Sequence, residues 1–203
     1  MKEIKQNKTT YSVIRKICIG MCKLFFKYKV NGKENIPEKG PFILCSNHVS
    51  NWDPLLLIAS QKRNIFYMAK EELFKNKIIG GFLKSIGAFP VNRGSGDRSA
   101  LDNSIDIINS GEVLGLFIEG TRSKTGEFLR PKSGAGFIAL ESKCDVLPVC
   151  ITYSKKRGIR KEVIISFGKI IKFEDMGFTT EGSGKEIRNA SKLFMENIIK
   201  LRD

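Results

Sequence analysis

Histidine occurs once in the chain, as His48, within Asn47-His48-Val49-Ser50-Asn51-Trp52-Asp53-Pro54 and directly after the apolar run Phe42-Ile43-Leu44-Cys45. An imidazole just past a strand-like run, with a carboxylate five residues on, has the makings of a general base with its own orienting group. The carboxylate would hold one ring nitrogen while the other faces a substrate proton. A turn between a strand end and a helix start brings His48 and Asp53 within reach of each other. The same residues also read as local architecture. Asp53 and Pro54 before Leu55-Leu56-Leu57 have the form of a helix N-cap with proline at the first helical position. The two readings are compatible, and both stay open here.

Two further clusters fall, like His48, at the ends of strand-like segments: Gly87-Ala88-Phe89-Pro90-Val91-Asn92-Arg93-Gly94 and Leu116-Phe117-Ile118-Glu119-Gly120-Thr121-Arg122-Ser123. Taken in chain order, these strings resemble the glycerolipid acyltransferase family. Its bacterial type member makes phosphatidic acid from lysophosphatidic acid and an activated fatty acid. The family's Asn-His-x-x-x-x-Asp pattern is met by Asn47, His48 and Asp53. Its Gly-x-x-Phe-x-x-Arg pattern is approached by Gly87, Phe89 and Arg93 in a shifted register, with three residues between the aromatic and the arginine. Glu-Gly-Thr-Arg-Ser is present in full as Glu119 to Ser123, and a short proline-bearing apolar strand is present as Val146-Leu147-Pro148-Val149.

The resemblance implies an esterification needing few groups. His48 would take the hydroxyl proton as the acceptor oxygen attacks the acyl carbon, and Asp53 would fix the ring tautomer and stabilise the imidazolium. No enzyme nucleophile, metal or cofactor is then needed. A phosphate on the acceptor calls for multidentate cations, which arginine's planar fork supplies better than a lysine point charge. Arg93 and Arg122 are the leading choices, with Lys70 (in Met68-Ala69-Lys70-Glu71-Glu72-Leu73-Phe74) and Lys132 behind them. The turn Glu119-Gly120-Thr121-Arg122 would bind substrate, Glu119 accepting from the glycerol or shaping the phosphate site. A plain ion pair between Glu119 and Arg122, bracing a turn, is the alternative.

Two other chemistries have weaker support. Cys45 lies inside an apolar run, where a buried thiol is inert packing, and strand positions three apart face opposite ways. Asn92 to Arg98 contains glycines beside an arginine but lacks the nucleotide-binding Gly-x-x-x-x-Gly-Lys-Ser/Thr pattern; Asp97 reads as a cap for the next helix.

With 203 residues and 41% hydrophobic content, the chain can bury one proper core. Thirty-five Lys and Arg against 21 Asp and Glu leave a formal charge of +14, so an anionic partner is expected. Anionic phospholipid, nucleic acid and an acidic carrier protein all qualify; no nucleic-acid motif is present, and none is expected as partner. Residues 14–28 place Ile14, Ile17, Cys18, Met21, Leu24, Phe25 and Tyr28 on one helical face, with Lys16, Lys23 and Lys27 opposite. That is the pattern of an amphipathic helix in a membrane interface, although packing on the core would produce a similar stripe. Arg15, Lys16, Lys23 and Lys27 interrupt any spanning run. Five unevenly placed cysteines and the lack of a signal-peptide pattern point to the cytoplasmic face of the cell membrane, peripherally bound.

The remaining pattern alternates strands near 41–46, 65–69, 87–91, 113–118, 146–152 and 162–168 with helices near 54–60, 78–85, 98–110, 134–142 and 184–201. The expected fold is α/β, a mixed sheet flanked by helices, with residues 1–30 as a membrane-interface segment and 31–203 as the acyltransferase domain. His48, Arg93 and Glu119 then all follow strands and gather at one sheet edge. The expected reaction is acyl transfer from acyl-CoA or acyl carrier protein to the sn-2 hydroxyl of lysophosphatidic acid. Glycerol-3-phosphate or another lysophospholipid is the alternative acceptor. A non-catalytic binder of anionic surfaces would explain the charge, but not His48, Asp53 and Glu119 together.

Overall fold

An unbroken apolar run suits a strand covered on both faces, and Phe42–Ser46 is buried at every residue. The structure, a computed structural model, describes residues 8–92, 97–154, 160–179 and 182–202. Among these the strands are β1 (Phe26–Asn31), β2 (Phe42–Ser46), β3 (Ile65–Lys70), β4 (Ala88–Val91), β5 (Val113–Phe117), β6 (Val146–Tyr153) and β7 (Lys161–Phe167). They form one sheet in the order β1-β7-β6-β2-β5-β3-β4. All neighbours are parallel except β6 and β7, so the sheet is mixed.

Helices α1 (Lys8–Phe25), α2 (Asp53–Ser60) and α3 (Lys77–Ser85) lie on one face, and α4 (Arg98–Asn109), α5 (Gly134–Ser142) and α6 (Gly184–Lys200) on the other. Strand alternation divides the core accordingly. Phe42 and Leu44 meet Tyr11, Cys18, Leu56 and Leu57, whereas Ile43 and Cys45 meet Ile107, Ile138, Phe194 and Ile198. Side chains set the helix starts. Asn76 accepts from Ile78 and Ile79, Asp97 from Ala100, and Ser183 with Glu186 forms a capping box. The cap expected of Asp97 is therefore present.

The N-terminal segment departs from the sequence reading. Residues 26–28, expected as the last helical turn, are the start of β1. Phe26-Lys27-Tyr28-Lys29-Val30 alternates apolar and charged residues, the period-two signal of a strand that the longer helical stripe obscured. The single apolar face also divides. Cys18 and Cys22 are buried with Tyr11 against α2, while Val13, Ile17, Leu24 and Phe25 are exposed. One side of the stripe thus packs on the core, as the second interpretation has it, and the other side is exposed. No helix among the described residues is long and apolar enough to cross a membrane.

Gly115 matters to the site above it. A Cβ there would come within 2.3 Å of Tyr67 Cε1 and 2.8 Å of Ile65 Cγ2. The bare backbone lets the Tyr67 ring lie across β5, parallel to Phe117. Gly115→Ala is expected to cost about 1–3 kcal/mol by overpacking and to lower the melting temperature by roughly 2–4 °C per kcal/mol; an unchanged melting curve would show that the ring relocates freely.

Candidate active site

Ligands of open α/β sheets bind beyond the carboxyl ends of the strands, and His48 after β2, Lys70 at the end of β3 and Glu119 and Arg122 after β5 lie at those ends. The loop after β2 is held by its own side chains. Asn47 bridges to β6, donating from Nδ2 to the Ile151 carbonyl at 2.9 Å and accepting from the Ile151 N–H at 2.8 Å. The next residue is His48, whose Nδ1 stands 2.8 Å from Asp53 Oδ2. Because the carboxylate accepts, Nδ1 carries the proton and Nε2 is left with a lone pair.

Asp53 does not cap α2. It is the first helical residue, Trp52 occupies the cap position, and Oδ2 turns back to accept the Val49 and Ser50 N–H groups at 2.6 and 2.8 Å. A fully buried carboxylate has no water to satisfy its oxygens and needs such donors from the protein. Its other oxygen, Oδ1, accepts from the Tyr153 hydroxyl at 2.6 Å. The imidazole stacks on Phe117 with centroids 3.9 Å apart and planes at 17°. The ring is fixed in position and in tautomer.

The turn after β5 grips the His48 backbone from both sides. Glu119 Oε2 accepts the His48 N–H at 3.3 Å, and the Ser123 N–H donates to the His48 carbonyl at 2.8 Å. Glu119 Oε1 accepts from Leu129 at 3.1 Å, so both oxygens are directed at backbone N–H groups and not at Arg122. Burial pushes the Glu119 carboxyl above its usual range, while the Leu129 and His48 N–H groups pull it back. Gly120 turns the chain at φ +69°, with the stem of Lys132 against it. Thr121, Arg122 and Lys132 are exposed.

A cavity of about 480 Å³ opens beside His48. Its wall is apolar, formed by Leu55, Leu83, Ile86, Ala88 and Phe117 among others, and Lys70 and Arg122 also line it. Lys70 pairs with Glu72 at 3.1 Å on the surface. Glu119 and Lys132 are not among the lining residues. Arg93 lies outside the described residues. Cys45 is buried on the opposite face of β2, where desolvation pushes its thiol far above the ordinary range, in keeping with inert packing.

Sequence reasoning missed Tyr153 and Phe117. Phe117 lies within residues 116–123 but has no chemistry of its own to mark it, and Tyr153 is a hundred residues from Asp53. Nothing in linear spacing signals either contact.

The fold and site define an α/β domain with a histidine–carboxylate pair at the mouth of an apolar cavity. The Acyltransferase family model matches residues 27–152, and the chain belongs to that family. It is similar to the 1-acyl-sn-glycerol-3-phosphate acyltransferase of Bacillus subtilis, with 42% identity over 122 residues, covering 59% of this chain and 60% of that one. The enzyme of the same name from Streptococcus pneumoniae is 28% identical over 187 residues, covering 86% and 67%. The chain thus spans about two thirds or less of the length of these relatives. The crystal structure of the 1-acyl-sn-glycerophosphate acyltransferase PlsC from Thermotoga maritima superposes with a TM-score of 0.73, covering 100% of this chain and 84% of that one at 24% identity. The likeness establishes the shared fold.

Proposed function

We propose that this chain transfers a fatty acyl group from acyl-CoA or acyl carrier protein to the free sn-2 hydroxyl of lysophosphatidic acid, giving phosphatidic acid. The observation that carries the reading is the His48–Asp53 pair, 2.8 Å between Nδ1 and Oδ2, at the mouth of an apolar cavity. Nε2 takes the proton of the acceptor hydroxyl as its oxygen attacks the thioester carbonyl carbon. The tetrahedral intermediate then collapses, the C–S bond breaks, and the imidazolium returns the proton to the departing thiolate. Asp53 stabilises the imidazolium throughout.

The cavity's lining suits an acyl chain, with the reacting carbonyl at its mouth. Arg122 and Lys70, at the same cavity, suit the acceptor's phosphate. Arg93, Gly120 and Thr121 complete the proposed acceptor side, with Glu119 and Lys132 supporting the turn that presents Arg122. Exposed Ile17, Leu24 and Phe25 on α1, with Ile78 and Phe82 on α3, suit peripheral binding to an anionic membrane at its cytoplasmic face. Residues 1–30 would make much of that contact.

The test is acyl transfer from a labelled thioester, offered as acyl-CoA and as acyl carrier protein, to lysophosphatidic acid. Labelled phosphatidic acid supports the reading; no product with any lysophospholipid or glycerol phosphate overturns it. Arg122→Ala is expected to raise the acceptor KM about tenfold or more with kcat little changed, since a charge-assisted contact to phosphate is lost. An unaltered KM would place the phosphate elsewhere.

A further inference from the structure

The two oxygens of Asp53 are served unequally. Oδ2 accepts from His48 Nδ1 and from the Val49 and Ser50 N–H groups, whereas Oδ1 accepts only the Tyr153 hydroxyl among the described residues. Asp53 is completely buried, so no water can substitute without entering the core. Tyr153 ends β6, beside β2, and reaches across to a carboxylate on α2. Phe26 packs edge-on against its ring, with centroids 6.2 Å apart and planes at 70°.

We propose that Tyr153 is a positioning residue for the His48–Asp53 pair, its hydroxyl anchoring Oδ1 so that Oδ2 stays aimed at Nδ1 and shares less than its full charge with the imidazole. The kinetic part rests on the acyl-transfer reading; the geometric part does not. Burial, followed by the nearby Asp53 charge, pushes the phenol well above its usual range, so the hydroxyl remains a neutral donor at any physiological pH. The other groups facing the pair are Glu119 and Arg122 from the turn after β5, Lys70 from the end of β3, the Ser50 hydroxyl from the His48 loop and Cys22 from α1. Tyr153 alone of these donates to Oδ1.

Removing the hydroxyl concentrates the carboxylate charge on the side facing His48, which favours the imidazolium. The chain's sole histidine gives a single imidazole signal to follow by NMR. In Tyr153→Phe the midpoint of that titration is expected to rise by about half a unit or more. The acidic limb of the pH–rate profile should move the same way, with kcat down about tenfold and both KM values within about twofold. In an Asp53→Asn background, Tyr153→Phe should move neither quantity further, because the partner charge is gone. An unshifted midpoint, or the same loss in both backgrounds, overturns the proposal. Should Tyr153→Phe fail to fold, a ring-fluorinated tyrosine at position 153 alone, a stronger donor of nearly the same shape, should lower the midpoint; no movement would overturn the proposal equally. The titration reads Tyr153 whether or not the chain acylates lysophosphatidic acid, so the two readings fail separately.

Discussion

His48→Ala is expected to lower acyl transfer about 100- to 10,000-fold, the range lost when a general base is removed. The chain contains no second histidine to take over. Phe117 lies flat against the ring and Asp53 fixes its tautomer, so the imidazole is held in one orientation that no neighbouring side chain would reproduce after a small rearrangement. Binding should survive, because the cavity wall and its cations lie on other residues. The loss is therefore expected in kcat, with acceptor and donor KM near wild type. The check is single-turnover transfer by folded His48→Ala. Activity within a few-fold of wild type would remove His48 from the chemistry and return the site to a binding role.

Asp53→Asn is expected to cost nearly as much, for a different reason. An amide can place its oxygen at the Oδ2 site and still accept from His48, Val49 and Ser50, but it carries no charge to stabilise an imidazolium. Its Nδ2 would face the Tyr153 hydroxyl, which must turn from donor to acceptor. A drop in kcat of about 100-fold or more is expected, together with a lower melting temperature from the disturbed network. Asp53→Ala should be worse for the fold, since it leaves buried N–H donors without an acceptor at about 1–3 kcal/mol for each unsatisfied group. Rates and melting curves of the two variants separate the roles. If Asn kept full activity, the carboxylate would be architectural, a brace for the His48 loop without part in the proton transfer.

The contrast between Asp53 and Glu119 shows why residue type alone does not assign a role. Both are buried carboxylates in recognisable strings. Asp53 is turned to the imidazole ring, whereas Glu119 is turned to the His48 backbone and the Leu129 N–H. The sequence places each beside a strand end, but which group its oxygens meet depends on the neighbouring loop. The alternative of a Glu119–Arg122 pair is not what forms: both Glu119 oxygens accept backbone N–H groups, as a buried carboxylate needs donors within the protein.

Much of the architecture was legible beforehand. β2, β3, β4, β5, β6 and β7 and helices α2 to α6 lie where apolar runs and helical periodicities placed them, to within a residue or two. These signals are local, since one strand or helix is specified by its own few residues and their period. β1 was missed for the same reason. Six residues of alternation were outweighed by a longer stripe that reads equally well at helical period.

By itself, the sequence determined the element pattern, the order of the motifs, the single histidine with its carboxylate, and a net charge of +14. Tertiary structure alone decided which oxygen of Asp53 holds the ring, that Phe117 lies beneath it, that Tyr153 completes the network, and that α1 buries one face while exposing another. The physical reason is range. Periodicity and spacing are properties of neighbours along the chain, whereas the orientation of a buried polar group is set by donors from strands far apart in sequence, and these meet only when the sheet is assembled.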